Sequence, residues 1–554
     1  MVRICQRPCD KMKTEVIGKG TWLDKVASAL IERELSLGRP LDEIRVESGI
    51  GASGIPHIGS LGDAVRAYGV AMSLRNMGYK SKLIAYSDDM DGLRKVPTGL
   101  PEWLNKYLAK PVSTIPDPFG DCHDSYGSHM GGLLLDALSK LNVEYEFRSA
   151  SQLYQTGMLA DQIHKILSNN LLLGSKIAEM VGQEKYKDSL PFFPVCESCG
   201  RLYVAKAEEY FEEERKVVYF CSGTKLGNTE INGCGHRGEV SAIIGKGKLA
   251  WKVEFAARWS ALDIRFEAYG KDIMDSVRVN DWVSNTILDY PHPFHAKYEM
   301  FLDKGGKKIS KSAGNVFTPQ KWLQYGTRES LLLLLFKRIS GTRHISAEDI
   351  PNLVDEYDIY EDVFFGKRKL ENDEKLVKVK GIYEYVNNLN PPISPQIHVP
   401  YRIIAQQASL FSGQDRVQKI YDRLVKYGLV SSQSPKIMEK IQLACNWADD
   451  YLISDEIFNI EITQGETVAI GELLKKLESL SGTTQTEESQ NELQNTIYNL
   501  ARKNNIQPRK FFKLMYRMLI NSESGPKLGN YMFDLGIERT RSILIKYSKK
   551  FSDC

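Results

Sequence analysis

The segment that most restricts how this chain can fold lies between residues 44 and 87. Ile44 and Val46 stand in a short extended run that feeds the loop Gly49-Ile50-Gly51-Ala52-Ser53-Gly54-Ile55-Pro56. Beyond it, Leu61, Val65, Tyr68 and Met72 recur every three or four residues and form one apolar helical face. Gly78 closes that helix, and Lys82 to Ser87 reads as the next strand. Strand, glycine loop, helix and strand make a βαβ unit, whose usual setting is a parallel sheet covered by helices.

The rest of the chain extends this pattern. From about Pro111 to Val240 it is interrupted by a stretch carrying Cys, His, Gly and Pro. The α/β signal resumes with Leu249 to Ser260 and runs to about Val316, and after Phe317 the sequence is mainly helical. Pro391-Pro392-Ile393-Ser394-Pro395 predicts a linker between helices. Thr483 to Thr496 is polar enough to predict a flexible surface loop. There is no internal repeat. The 554 residues suffice for about three or four domains at ~150 residues each.

Composition narrows the setting. With 42% hydrophobic and 26% charged residues the chain reads as an ordinary soluble protein. The longest purely apolar run, Leu331 to Phe336, is far too short for a bilayer and predicts a buried helix, not a membrane partner. Met1 to Gly20 has no apolar stretch, so no signal peptide is expected and a cytoplasmic location is the default. A net charge of +3 neither demands nor excludes nucleic acid. Nine cysteines in such a chain argue for metal ligands and free thiols over disulfides.

Two features carry chemistry. The first is Pro56-His57-Ile58-Gly59-Ser60, where the glycine loop meets the helix. Backbone N–H groups at a helix start are unpaired and the dipole there favours anions, so a phosphate fits, with His57 beside it. The plain alternative is a turn histidine that only caps the helix. The second is Lys304-Gly305-Gly306-Lys307-Lys308-Ile309-Ser310-Lys311-Ser312. Its lysines repel one another unless a polyanion gathers them, and its glycines let the segment close over a triphosphate. A solvated surface loop is the plain alternative.

Together these features resemble the paired signatures of class I aminoacyl-tRNA synthetases. His57-Ile58-Gly59-Ser60 is similar to HIGH, and Lys308-Ile309-Ser310-Lys311-Ser312 to KMSKS, in the right order and about 250 residues apart. Ser60 replaces the second histidine, and Ile309 the methionine. The resemblance implies attack of an amino-acid carboxylate on the α-phosphate of ATP, then acyl transfer to the 2′-hydroxyl of the terminal tRNA adenosine. It implies His57, Lys308 and Lys311 as catalytic phosphate-holding residues. ATP would lie against Gly54, His57, Gly59, Ser60, Gly270, Asp272, Lys308, Ser310 and Lys311, with Mg2+ accompanying it. Gly270-Lys271-Asp272 resembles the family's ribose-binding segment.

A narrower resemblance points to the substrate. Ser87-Asp88-Asp89-Met90-Asp91-Gly92-Leu93-Arg94-Lys95-Val96-Pro97 is similar to a stretch of class I lysyl-tRNA synthetases. So is Pro116-Asp117-Pro118-Phe119-Gly120, followed by Cys122-His123 and Tyr126-Gly127. The likeness covers nearly the whole chain, weakest from about 360 to 490, and implies L-lysine and tRNA(Lys) as substrates. It assigns the amino acid to Gly49, Gly51, Asp88, Asp91 and Trp251. A desolvated ammonium needs a carboxylate, and Asp88, Asp89 and Asp91 follow a strand at the sheet's carboxyl edge. A helix cap or Asx turn explains those aspartates equally well. The family carries Thr-Pro where this chain has Gly51-Ala52, and a histidine where it has Ile273. Two rival readings are a glutamyl-like class I enzyme, which would need a cationic pocket, and a non-catalytic RNA-binding paralogue.

Zinc is expected at two structural sites. Cys196-Glu197-Ser198-Cys199 is a CxxC knuckle, and Cys221 and Cys234 complete a four-thiolate set, with His236 as substitute for the last. Asp117, Cys122, His123 and His129 form a mixed cluster, with Asp121 as the other candidate oxygen donor. The resemblance supports a second zinc there.

The expected architecture is therefore α/β. A Rossmann-type catalytic domain spans 1–115 and 241–316 and is split by a zinc-binding insertion at 116–240. A helical stem covers 317–390 and a helical anticodon-binding domain 391–554. In the last part, Phe511, Met515 and Met518 recur at helical spacing and read as core.

Overall fold

The computed structural model describes residues 16–299, 301–307, 309, 317–452, 460–482, 485–520, 523 and 525–548. The chain forms two compact units. One comprises Met1–Gln320, Leu332–Ile345 and Gly366–Pro392; the other Lys321–Leu331, Ser346–Phe365 and Ile393–Cys554.

The first unit is built on a parallel sheet. Helix α1 (Trp22–Ser36) opens with a capping box in which Thr21 and Asp24 satisfy each other's orphan donors. Strand β1 (Ile44–Ile50), helix α2 (Ile58–Asn76) and strand β2 (Ser81–Ser87) then form the expected βαβ unit. Helix α3 (Tyr126–Lys140) leads to β3 (Glu146–Ser149), which pairs with β2 in parallel. Thus the stretch expected as insertion contributes a strand to the central sheet, because Glu146 to Ser149 runs in register with Ile84 to Ser87. Short helices α4 (Ala150–Gln155), α5 (Ala160–Ser168) and α6 (Asn170–Val181) follow.

The cysteine-bearing part is a small antiparallel assembly. Strand β4 (Phe192–Pro194) precedes β5 (Ala205–Phe211) and β6 (Lys216–Cys221). The hairpin β7 (Gly223–Leu226) and β8 (Thr229–Asn232) comes next, then β9 (Arg237–Ser241) and β10 (Gly247–Leu249). β5, β6 and β9 make one sheet, and β10 returns to pair with β4. Helix α7 (Trp251–Leu262), β11 (Ile264–Gly270), helix α8 (Met274–Thr286) and β12 (Phe294–Tyr298) complete the central sheet and its flanking helices. The central sheet has the order β12-β11-β1-β2-β3, all parallel, and reverses direction of growth at β1, where an open α/β sheet leaves a crevice. α2 lies nearly wholly buried, with Leu61, Val65, Tyr68 and Met72 all inside.

The second unit is helical among its described residues. The sequence segment expected as one stem is shared out. The helix Ile350–Phe364 belongs to the second unit, whereas Asp373–Val386 joins the first, where Tyr385 Oη donates to buried Asp24 at 2.5 Å. Leu331 to Phe336 is a buried helical run, as expected. The polar stretch Thr483–Thr496 is not all loop: a helix spans Glu487–Lys503, capped by Thr486 and Ser489. Its Leu493, Ile497 and Ala501 are buried, so three apolar residues at helical spacing outweigh the polar composition. Phe511, Met515 and Met518 are buried, as a core stripe requires. Among the described residues no helix is long and apolar enough to cross a membrane.

Candidate active site

The carboxyl ends of β1, β2, β11 and β12 surround a cavity of about 370 Å³. It brings together Gly49, Gly51, His57, Gly59, Ser60, Asp88, Asp91, Trp251, Gly270 and Asp272, from five separate stretches of chain. Gly54 does not line it; that glycine is buried in the loop, and its exposed neighbour Ser53 takes the place on the wall. Lys308, Ser310 and Lys311 lie outside the described residues. Ile309 between them lines the cavity, and its N–H donates to the Phe301 carbonyl at 3.2 Å.

His57 holds both roles considered for it. It is the N-cap of α2, and its Nδ1 accepts the Ser60 N–H at 3.2 Å. The ring also lines the cavity. A Cβ at residue 59 would come within 2.7 Å of the His57 ring, so a glycine there lets the imidazole fold back over the helix start.

The opposite end of the cavity is acidic and crowded. Arg258, a buried residue of α7, forms an ion pair with Glu47 at 2.5 Å, donates to Glu267 at 2.7 Å and lies 3.4 Å from Asp88. Lys248, also buried, meets Asp91 at 2.5 Å and Glu254 at 2.8 Å. Five carboxylates thus share two cations. Burial pushes Asp88 up to about 7 and Glu47 to about 8, with Arg258 opposing in each case. Burial likewise raises Glu254 against the pull of Lys248. For Lys248 burial acts downward, but Asp91 and Glu254 outweigh it and hold the ammonium charged. The Trp251 indole N–H, on the cavity wall, has no partner among the described residues. Such a cluster is short of positive charge, and an entering ammonium group would supply it.

Asp89 behaves differently from its neighbours. It accepts from the Ser151 N–H at 2.7 Å and from its hydroxyl at 2.5 Å, tying β2 to the start of α4. Capping therefore explains Asp89, while Asp88 and Asp91 line the cavity. Sequence reasoning missed Lys248, Glu254, Arg258 and Glu267. The available signal was Glu254 and Arg258 at i,i+4 on a mainly apolar helix, a spacing that places both on one buried face.

Two further groups gather ligand atoms. The thiols of Cys196, Cys199, Cys221 and Cys234 lie within 4.8 Å of one another, with Cys196 to Cys234 at 3.6 Å and Cys199 to Cys221 at 3.9 Å. Tetrahedral zinc with bonds of ~2.3 Å sets its sulfurs roughly 3.8 Å apart, so the donor set fits. The CxxC turn is closed by Gly200 N–H to Cys196 O at 2.8 Å, and the Cys234 N–H donates to Cys221 Sγ at 3.3 Å. His236 is outside this group. Asp117, Cys122, His123 and His129 form the second, also within 4.8 Å. His129 Nδ1 lies 2.9 Å from Asp117 Oδ2 and 3.4 Å from Cys122 Sγ, and the set includes Asp117, not Asp121.

Comparison with known proteins bears on this geometry. The family model described as tRNA synthetases class I (K) matches residues 20–388. The chain is 53% identical to a lysine--tRNA ligase of Cenarchaeum symbiosum (strain A), over 96% of this chain and 99% of the relative. It is 29% identical to a lysine--tRNA ligase of Rickettsia felis, over 90% of this chain and 91% of that one. A crystal structure of a glutamate tRNA ligase from Elizabethkingia meningosepticum aligns over 91% of this chain and 99% of its own, at TM-score 0.34 and 13% identity.

Proposed function

The chain belongs to the class I (K) tRNA synthetases, and from that premise we infer that it activates L-lysine with ATP and transfers it to tRNA(Lys). The observation that carries the choice of amino acid is the charge deficit around Arg258 and Lys248, a setting for an ammonium and not for a substrate carboxylate. A glutamyl-like activity would need the reverse polarity. The full-length likeness to lysine--tRNA ligases supports the same reading.

In the proposed reaction the lysine carboxylate attacks the α-phosphorus of ATP, pyrophosphate leaves, and lysyl-adenylate forms. The 2′-hydroxyl of the terminal adenosine then attacks the acyl carbon, and AMP departs with the electron pair. No general base is needed for the first step, so the protein's contribution is placement and charge neutralisation. Asp88 and Asp91 would orient the ammonium, with Gly49, Gly51 and Trp251 shaping the pocket. His57 and the helix start at Gly59 and Ser60 would donate to the phosphates as charge builds there. Gly270 and Asp272 would receive the ribose, and Lys308, Ser310 and Lys311 would close on the triphosphate. Magnesium comes with ATP, and the carboxylates on this cavity's wall are oxygen donors of the kind it accepts.

Both ligand clusters are proposed as structural zinc sites, Cys196, Cys199, Cys221 and Cys234 in one and Asp117, Cys122, His123 and His129 in the other. Acyl transfer needs no Lewis acid. A small antiparallel assembly with little core of its own does need a staple. A cytoplasmic location follows from the function.

The deciding experiment is amino-acid-dependent ATP–pyrophosphate exchange across all twenty amino acids, with and without total tRNA. Exchange with lysine alone is expected. Exchange with another amino acid keeps the class and redirects the pocket to Gly51, Asp88 and Ile273. No exchange under any condition favours a non-catalytic paralogue.

A further inference from the structure

At the far end of the same cavity lies a cation for which neither the sequence motifs nor the mechanism above has a use. Ser60, Asp63 and Arg66 follow one another at three-residue intervals on α2, and all three line the cavity. Arg66 is 1% exposed, and its guanidinium lies 4.5 Å from the Tyr298 ring centre and 5.6 Å from that of Phe301. Its one ion pair among the described residues is long, with Nη1 3.9 Å from Asp63 Oδ1. Among the described residues, Nε and Nη2 have no hydrogen-bond partner. Arg258, equally buried, is met by three carboxylates. A buried guanidinium with unused donors is costly to keep unless something arrives to accept from it.

The surroundings describe that acceptor. A second, half-buried guanidinium, Arg343, stands 4.7 Å from the Phe301 ring centre. Burial, followed by repulsion from Arg66, lowers its pKa to about 9. Arg343 donates to the Leu334 and Arg338 carbonyls, so the unused donors at this end of the cavity are Arg66 Nε and Nη2. Tyr298 closes β12 and Asp88 follows β2, three strands away in the sheet order, which is roughly 14 Å at ~4.8 Å per strand. Phe301 and Ile309 line the Arg66 end too, and the chain between them carries Lys304 and Lys307. Space for the guanidinium is provided by Gly62, where a Cβ would come within 2.9 Å of Arg66 Nη1 and 3.2 Å of Leu335.

We propose that Arg66 is a phosphate-binding residue that grips the β- and γ-phosphates of ATP through its planar fork and holds them as they leave as pyrophosphate. Parallel N–H donors match two oxygens of a phosphate, a fit that a lysine's point charge does not reproduce. Asp63, at the edge of ion-pair distance, keeps the head turned toward the cavity and yields it to a more highly charged partner.

This inference rests on the synthetase reading, so its test has two arms. In lysine-dependent exchange with tRNA present, Arg66→Ala is expected to raise KM for ATP and for pyrophosphate tenfold or more. KM for lysine should stay within twofold, a split that general loosening of the fold would not produce. Arg66→Lys should recover only part of the loss. A KM for ATP within twofold of wild type in folded Arg66→Ala overturns the proposal. If that variant does not fold, a normal KM in Arg66→Lys does the same. Independently of any amino acid, Mg·ATP binding followed by calorimetry should weaken tenfold in the Arg66 variant, and equal affinity overturns the role. Wild-type protein that binds Mg·ATP yet exchanges with no amino acid removes the synthetase reading and leaves Arg66 to be judged on this second arm.

Discussion

Arg258 and His57 illustrate how much one side chain can hold in this molecule. Arg258 is buried against the rings of Tyr86 and Phe255, at 4.8 and 4.5 Å, while three carboxylates converge on it. Burial raises the carboxyls of Asp88 and Glu47 against the pull of Arg258. His57 joins the capping of α2 to a position on the cavity wall, so its two roles separate on substitution. Losing one cap costs about 1 kcal/mol of stability. Losing a donor to the reacting phosphate costs on the order of 10²-fold in rate. His57→Ala should therefore fold with a slightly lowered melting temperature and show adenylation reduced 10²-fold or more, read by exchange. A near-normal rate would remove His57 from the phosphate site. The motif around His57 was legible because it depends on local order alone. The pairing of Asp88 with Arg258 was not, because 170 residues separate them and only the folding of the sheet brings them together.

At the scale of elements, the antiparallel assembly of β4 to β10 gathers four thiols at one place. Cys196 and Cys199 come from one turn, Cys221 from the end of β6 and Cys234 from the chain after β8, so a metal there would cross-link three segments. Cys196→Ser is expected to lower zinc content by one equivalent per chain and to reduce thermal stability, checked by metal analysis and melting. Unchanged stoichiometry would sink the four-thiolate assignment. The knuckle was readable from spacing, and Cys234, expected as the fourth ligand with His236 as its substitute, is the one that the return of the chain past β8 brings to the group. In the helical unit, His398 sits 3.2 Å from Asp358 Oδ1 and 3.0 Å from Glu361 Oε2, with Asp362 at 3.5 Å. Lys440 pairs with Asp358 at 2.6 Å and approaches Asp355 at 3.9 Å on the other side. Burial acts to lower the pKa of His398, but Asp358 and Glu361 outweigh it and raise it to about 9. A folded pKa above the unfolded value of about 6.5 means the stabilisation is fully present below pH 6.5 and is lost as pH rises through 9. The melting temperature should fall by about 5 °C between pH 6.5 and 9.5 in wild type, and the slope should flatten in His398→Gln. Equal slopes would show that His398 is not the titrating group.

For the whole molecule, the consequence is a cavity along the strand ends of one sheet, with the Asp88–Arg258 cluster at one end and the unused donors of Arg66 at the other. On the proposed reading, a substrate carrying an ammonium at one end and phosphates at the other suits it, and a substrate with a side-chain carboxylate does not. Glutamate is therefore expected to support no exchange under conditions where lysine does; appreciable exchange with glutamate would contradict the charge argument. The sequence by itself determined the βαβ start, the class I signatures, both ligand clusters and the helical character of the second unit. Each of these is written in spacings of a few residues, where steric and hydrogen-bond rules act along the chain. Only the tertiary structure decided that Glu146 to Ser149 is a sheet strand, that residues 317–390 are divided between two units, that Arg258 and Arg66 face the cavity, and that Lys248 pairs with Asp91 behind its wall. Those outcomes depend on which buried charge meets which across long stretches of chain. In a low-dielectric interior such pairings are set by three-dimensional distance, which no local pattern records.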